Sequence, residues 1–497
     1  MRPRHKQLVG IIFISTVLRI LLIHSRSIQY DDAFTLLLAS RSLPEIITGT
    51  AADTMPPLFY ILMHFWLFLG RELWIARGLT VLISVGSVLL AYQMIWELTG
   101  DQGAGLATAA LVGASPLQIY HAQDIRMYAL LAFSELAYLL FFGRIWRSRE
   151  KGTINWRDWL GLIVSGIVAM YTHNLAIFWL TIPLILLITT KSWRTLFRMI
   201  LALGLIGLAA LPWLIKIPGQ VAKIQNAFWT PRPGVIEIFQ SILLFNATLP
   251  LPQPWLLICA ILSVQILVLV GVEAAGNKVK RAEILFLTAF AAIPPFVLLS
   301  ASYVIRPIFV TRGFLASSFA YYGLAGYLIS LGWKRHVGKL LAIGFAAAFI
   351  LSLPYQISYA EFPRSPFREA VRDLEGLMDS ETLVLHDNKL SFFPFYYFAP
   401  NLQQSFLPDE PGSSNDTLAR GTQEALGIFP ETDLAEATNG FKKIHFVTFE
   451  LTMQNYRETG VEHPTILWLR DNYELVNQRN YHDLVVLTFC ECESGHE

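Results

Sequence analysis

The feature that most constrains this chain is a succession of apolar runs, each about long enough to cross a hydrocarbon core of roughly 30 Å. They fall at 8–24, 73–96, 104–120, 127–146, 158–173, 174–190, 198–216, 253–275, 283–300, 313–331 and 338–357, which predicts about eleven spans. A chain so patterned must satisfy its backbone within helices at membrane depth. The first run follows Arg2, Arg4 and Lys6, contains Arg19 and is not followed by a small-residue cleavage site, so it reads as an uncleaved span.

Charge divides the chain where the runs end. Residues 1–358 hold 28 Lys+Arg and 14 Asp+Glu, and 359–497 hold 10 and 23, so a formal net charge of +1 conceals parts of +14 and −13. The expected organisation is a transmembrane domain over 1–358 and a small soluble α/β domain over 359–497. Within the latter, helices are expected at 366–378 and 465–471 and strands at 382–386, 443–449 and 484–489, with a turn-rich loop at 408–422. The basic residues of the first part cluster in short connections, among them Arg144, Arg147, Arg149, Lys151 and Arg157, then Lys191, Arg194 and Arg198. By the positive-inside bias these connections are cytoplasmic, as is the N-terminus, and the C-terminal domain is extracytoplasmic. A water-soluble enzyme and a disordered chain are excluded. Nucleic acid is not an expected partner, because the positive excess forms no basic face. Three cysteines, Cys259, Cys490 and Cys492, make neither a disulfide framework nor a zinc pattern. The sequons at Asn246 and Asn415 are placed outside.

Only 14 carboxylates precede residue 359, so candidates for chemistry are few. Asp31-Asp32 follows the first span; adjacent carboxylates repel, and the pair reads either as a helix-capping device or as a reactive acid. Asp124, at the start of the 127–146 run, has Arg126 beside it. Glu135 is the one acid at membrane depth, where ionisable residues are functional candidates or helix–helix contacts. His173 occupies a polar turn between two short spans. Arg306 and Arg312 lie on the outer side, where cations are disfavoured unless an anion such as a lipid phosphate holds them. The segment 58–69, after Pro56-Pro57, is apolar but too short to span and is expected along the interface. Polar groups thus gather at one surface rather than along a path through the bilayer. That favours chemistry on a lipid headgroup over a flippase or transporter, while a ligand-binding sensor leaves the acids unexplained.

Several of these stretches occur together in a recognisable order. Asp31-Asp32-Ala33-Phe34-Thr35, Met55-Pro56-Pro57-Leu58-Phe59-Tyr60 with His64-Phe65-Trp66, Ser115-Pro116 leading to Gln123-Asp124-Ile125-Arg126-Met127-Tyr128-Ala129-Leu130, and Tyr171-Thr172-His173 resemble the bacterial branch of the protein O-mannosyltransferase and aminoarabinose-transferase superfamily. These are GT-C glycosyltransferases of the family 39 type, and the resemblance covers roughly 8–360. It implies an enzyme of the cell membrane that transfers a sugar, with inversion, from a polyprenyl-phosphate donor to an acceptor hydroxyl. It also implies Asp31 as the catalytic acid–base residue, with Asp32 and Asp124 as further catalytic acids. His64, Arg126, Tyr128, His173 and Arg306 or Arg312 are the implied substrate-binding residues. Where the family usually has Asp-Glu, this chain has Asp31-Asp32, and where it commonly has Glu, this chain has Asp124. No cofactor is required by such a displacement; a divalent cation shared by Asp31 and Asp124 is the one candidate.

Overall fold

The computed structural model describes residues 3–21, 23–24, 26–149, 155–226, 230, 232–247, 251–277, 280–304, 307–358, 364–413 and 415–491. They form two compact units. One comprises Met1–His24, Thr54–Gln225 and Thr230–Ala360, and the other Ser25–Asp53, Asn226–Trp229 and Glu361–Glu497. The segment 25–53, which the charge division at 358 grouped with the apolar part, thus clusters with the C-terminal chain.

The first unit is helical. Among the described residues, six of its helices are long and apolar enough to cross a membrane by length and composition: Leu73–Thr99, Tyr128–Ser148, Trp193–Leu214, Gln253–Gly276, Arg281–Val304 and Val337–Tyr355. Other apolar runs form shorter helices, Pro3–Ile20, Trp156–Thr172 and Ser317–Gly332. The run at 104–120 is broken into Gln102–Ala114 and Pro116–Ala122. Pro116 lacks the N–H that would continue the first helix, and the Ser115 hydroxyl accepts from Gln118 N–H to start the second. The run at 174–190 is similarly divided into Ala176–Leu180 and Ile182–Thr189. Helix Leu73–Thr99 ends at Gly100, whose φ of 73° suits a residue without Cβ. Helices Gln102–Ala114 and Ser317–Gly332 approach so closely at Gly326 that a Cβ there would lie 2.3 Å from Thr108 Oγ1 and 2.9 Å from the Ala104 carbonyl oxygen. Helix Leu58–Trp66 buries Phe59, Tyr60 and Met63 and exposes Phe65 and, beyond its end, Phe68.

Asn246, placed on the outer side by the span count, is an interior residue. It is fully buried, its amide donating to Ser263 Oγ at 2.5 Å and accepting from the Tyr321 hydroxyl at 2.7 Å.

The second unit is built on a five-stranded sheet. Its strands are β1 (Thr382–His386), β2 (Gln404–Phe406), β3 (Lys443–Phe449), β4 (Tyr473–Tyr481) and β5 (Leu484–Glu491). The order is β2-β1-β3-β5-β4, with β1 parallel to both β2 and β3 and the β3–β5 and β5–β4 pairs antiparallel. Alternation along the strands supplies two apolar layers. Val384, Val447 and Val486 face Phe367, Leu374 and Phe395, while Leu385, Phe446 and Leu487 join Ile466 and Leu469.

Helices Tyr30–Ala39 and Leu43–Ala52 are part of this unit. Tyr30 and Phe34 pack on Phe393, with ring centroids 5.2 and 6.2 Å away. Gly49 lets helix Arg420–Leu426 approach: a Cβ there would lie 3.0 Å from Ala425 Cβ, and the Thr422 hydroxyl donates to the Gly49 carbonyl at 3.0 Å. Burial pushes the imidazoles of His386 and His445, on the central strands, down to about 3 and about 4.

Candidate active site

The residues singled out by the sequence fall in both units. In the helical unit they converge where helix Tyr128–Ser148 begins. The broken helix Pro116–Ala122 delivers residues 121–127 to this place, and three hydrogen bonds hold them there. Thr80 Oγ1 donates to the Ala122 carbonyl at 2.8 Å, and the Gln123 amide donates to the Arg19 and Leu21 carbonyls at 2.9 and 3.0 Å.

Asp124 is buried and meets His121, Nδ1 to Oδ2, at 3.0 Å. Arg126, also buried, donates from Nη1 to the Tyr60 hydroxyl at 3.2 Å. The Arg312 guanidinium lies 5.2 Å from the centre of the Tyr128 ring, within cation–π range. The same ring has His121 at 5.5 Å and His173 at 6.3 Å between centroids. His173 Nδ1 accepts from Leu175 N–H at 3.1 Å, which leaves the proton of a neutral ring on Nε2, and both Arg312 and Arg126 act on it electrostatically.

The structure therefore brings Asp124, Arg126, Tyr128, His173 and Arg312 into one connected group. Chemically this group sets two guanidiniums, one donating to a phenol oxygen and one lying over an aromatic ring, beside a carboxylate and two imidazoles, and guanidiniums are the groups that recognise phosphate. Arg306 lies outside the described residues. His64 is half-buried, with its ring 5.3 Å from both Phe65 and Phe68. Glu135 is buried in helix Tyr128–Ser148, and its backbone carbonyl accepts from Trp179 Nε1 at 3.2 Å. Two members were not singled out from the sequence, Tyr60 and His121. His121 was within reach, since it precedes Asp124 by three residues, the spacing of neighbours on a helical turn. Tyr60 meets Arg126 across 66 positions, and no local pattern encodes that.

In the other unit, Asp31 and Asp32 stand in the first turn of helix Tyr30–Ala39. Asp32 is buried, and its carboxylate accepts the Gln29 backbone N–H at 3.1 Å, the return half of a capping box. The capping role anticipated for the pair thus has a specific owner. Asp31 is only partly buried, and its backbone carbonyl accepts from Thr35 Oγ1 at 2.9 Å. Both carboxylates benefit from the positive end of the helix dipole. Among the described residues no group of three or more His, Cys, Asp or Glu is placed to hold a metal ion.

No known family profile matches this sequence, and no curated protein does. Solved structures do. The chain is similar to ArnT from Cupriavidus metallidurans bound to undecaprenyl phosphate, with a TM-score of 0.61 at 13% identity over 98% of this chain and 99% of that one. It is also similar to the Archaeoglobus fulgidus oligosaccharyltransferase tethered with an acceptor peptide, with a TM-score of 0.53 at 11% identity over 99% of this chain and 74% of that one. The same archaeal enzyme in complex with an inhibitory peptide and a dolichol-phosphate gives 0.50 at 12% identity, over 95% and 72%. With its apolar helices and these relatives in shape, the chain is a multi-pass membrane protein with the fold of the GT-C glycosyltransferases.

Proposed function

We propose that this protein is a membrane glycosyltransferase that moves a hexosyl or pentosyl group from a polyprenyl-phosphate donor to an acceptor hydroxyl at the extracytoplasmic face. The chain crosses the membrane about eleven times in this reading, with its N-terminus cytoplasmic. The observation that carries the proposal is the buried group in which Tyr60 holds Arg126 and the Tyr128 ring underlies Arg312. Two guanidiniums thus act on His173, one of them lying over the Tyr128 ring, and guanidiniums are the groups that recognise phosphate by paired, charge-assisted bonds. The ArnT structure of the same fold binds undecaprenyl phosphate, which supports this ligand class by analogy of fold.

The chemistry is a single displacement. The acceptor oxygen forms a bond to the anomeric carbon as the carbon–oxygen bond to phosphate breaks, and polyprenyl phosphate leaves. Asp31 takes the hydroxyl proton, the role implied by the resemblance, and such general-base catalysis contributes about 10²–10⁴-fold. Arg126 and Arg312 stabilise the charge gathering on the departing phosphate. Asp124, steadied by His121, orients sugar hydroxyls. Asp32 serves the helix that carries Asp31.

The test is transfer by the purified full-length protein in lipid, using radiolabelled polyprenyl-phosphate sugars and membrane extract as the acceptor source. Wild type should release polyprenyl phosphate and pass label to an acceptor. Asp31→Asn should lose at least about 10²-fold in turnover while still binding donor. If no donor is turned over by wild type and both proteins bind donor equally, the transferase reading is wrong.

A further inference from the structure

A second polar site lies at the other end of helix Tyr128–Ser148. With 21 residues, this helix is about 31 Å long at 1.5 Å per residue. Its last turns are therefore about one hydrocarbon thickness from the group around Tyr128. There the helix and the end of Leu73–Thr99 enclose a cleft of about 320 Å³ lined by Met94, Glu97, Gly143, Arg144, Arg147 and Ser148, among others.

The charges around the cleft are unevenly committed. Arg144 grips Glu97 with two parallel bonds, Nε to Oε2 at 2.6 Å and Nη2 to Oε1 at 2.8 Å, and its Nη1 lies 3.6 Å from Asp158. Gln93 adds a third donor to Glu97, at 2.8 Å. Glu97 is thereby neutralised and largely saturated. Arg147 is exposed, and its Nη1 donates to the Glu97 backbone carbonyl. A backbone oxygen takes one of five guanidinium N–H donors, and although the Arg147 charge also acts on Glu97, the carboxylate's paired bonds go to Arg144. Two further cations stand nearby: Lys280, whose Nζ donates to the Thr99 carbonyl at 2.7 Å, and Arg149, 3.9 Å over the Trp146 ring. Of the side chains that line the cleft itself, Arg144 and Arg147 face the single carboxylate Glu97, which leaves an excess of positive charge. The surroundings are those of a headgroup layer: Trp96 and Trp156 are 38% and 64% exposed, and such tryptophans mark the bilayer interface.

We propose that this cleft binds the phosphodiester of an anionic membrane lipid, with Arg147 as its direct partner and the Glu97–Arg144 pair as its wall. The volume admits a headgroup. The excess charge favours a lipid with a net negative headgroup over a zwitterionic one, because a tethered ammonium would meet Arg144 and Arg147. The lipid would bridge the ends of two helices that carry the opposite group, yet the site stands apart from it and from any reading of its chemistry.

The experiment is native mass spectrometry of the full-length protein in detergent with phosphatidylglycerol, phosphatidylethanolamine or phosphatidylcholine, compared with Arg147→Gln. Arg157→Gln, near the Trp156 ring, serves as the control for a general loss of basic charge. Wild type and the control should retain phosphatidylglycerol at least five-fold over the other two lipids, and Arg147→Gln should lose that preference. Thermal melting of the variants reports whether they fold, and replacing a solvent-exposed side chain should leave it unchanged. Equal retention of the three lipids by wild type, or an unchanged preference in Arg147→Gln, overturns the proposal. Inorganic phosphate is the remaining arm. If it binds in an Arg147-dependent way while no lipid is preferred, the cleft takes a free phosphate ion and the lipid assignment fails.

Discussion

Arg19 and Lys389, one from each unit, are cations buried by different means. In the helical unit, Arg19 is fully buried with no carboxylate among its bonds. Its guanidinium donates to Ser84 Oγ at 2.9 Å, Ser15 Oγ at 2.6 Å, and the Gly113 and Val112 carbonyls at 2.7 and 3.1 Å. In the sheet unit, buried Lys389 pairs with Asp409. The Val112 carbonyl explains the first case. Its normal helical donor would be the N–H four residues on, at Pro116, which has none. Arg19 thus caps a helix end that proline has left open, where the dipole also favours a cation. With only 14 acids among the first 358 residues, Arg19 finds a broken helix end as its acceptor, whereas half-buried Arg144 of the same unit has Glu97. For Lys389, the acid-rich sheet unit supplies an ion pair.

The sharpest way to break this contrast is to remove one cation from each side. Lys389→Met leaves Asp409 buried without its ammonium, although burial already outweighs Lys389 and raises the Asp409 carboxyl. Losing one member of a buried pair costs about 3–5 kcal/mol. Hydrogen exchange of the β1 and 404–413 amides in the full-length protein should accelerate accordingly. Lys389→Met with Asp409→Leu should recover most of the loss, because both charges are then gone. Arg19→Met should cost less, about 2–3 kcal/mol, as carbonyls and hydroxyls lose donors, and it should show as a lower melting temperature. No second side-chain substitution should rescue it, since its main acceptors are backbone. A rescue of Arg19→Met by a single side-chain change would erase the distinction.

Legibility in the sequence follows the same divide. Apolar alternation placed β1, β3 and β5, each buried over most of its length. It gave no sign of β4, an edge strand whose Tyr473–Tyr481 run is mostly polar and exposed, nor of β2, three residues long. The long apolar helices were evident by length, whereas Ser115-Pro116 splits a run that hydropathy reads as continuous. The site was legible where it is local: Asp124, Arg126 and Tyr128 lie within five residues. Asp32 as a capping carboxylate rests on its three-residue spacing from Gln29 and was open to the same reading. That helix Tyr30–Ala39 packs on Phe393 was not legible, because no periodicity encodes which distant surface a segment meets.

A pH change sharpens the comparison from the side of the sheet. His386 and His445 are buried on β1 and β3, held down to about 3 and about 4 by desolvation. Above the unfolded value of about 6.5 both states are neutral and stability does not depend on these groups. Below it the unfolded chain binds protons that the folded sheet refuses, so stability falls as pH drops towards the folded values. At pH 6.0 the loss is about 0.8 kcal/mol for each histidine. Exchange of the β1 and β3 amides, corrected for intrinsic rates, should rise between pH 7.5 and 6.0. The rise should halve in His445→Gln. A flat profile would mean that the sheet admits the protonated rings.

The smallest effect tests whether the cations of the helical unit are positioned rather than merely tolerated. Tyr60→Phe removes only the hydroxyl that accepts from Arg126 Nη1 at 3.2 Å, and one such bond is worth about 1 kcal/mol. If Tyr60 aims Arg126 at a lipid phosphate, undecaprenyl phosphate should bind about five-fold more weakly to the variant, with the melting temperature unchanged. If the hydroxyl serves only to satisfy a buried guanidinium, the melting temperature should fall and binding should not. The first outcome sets Arg126 apart from Arg19, whose partners close a helix end. The second would make both arginines structural and move the burden of anion recognition to Arg312 and the Tyr128 ring beneath it.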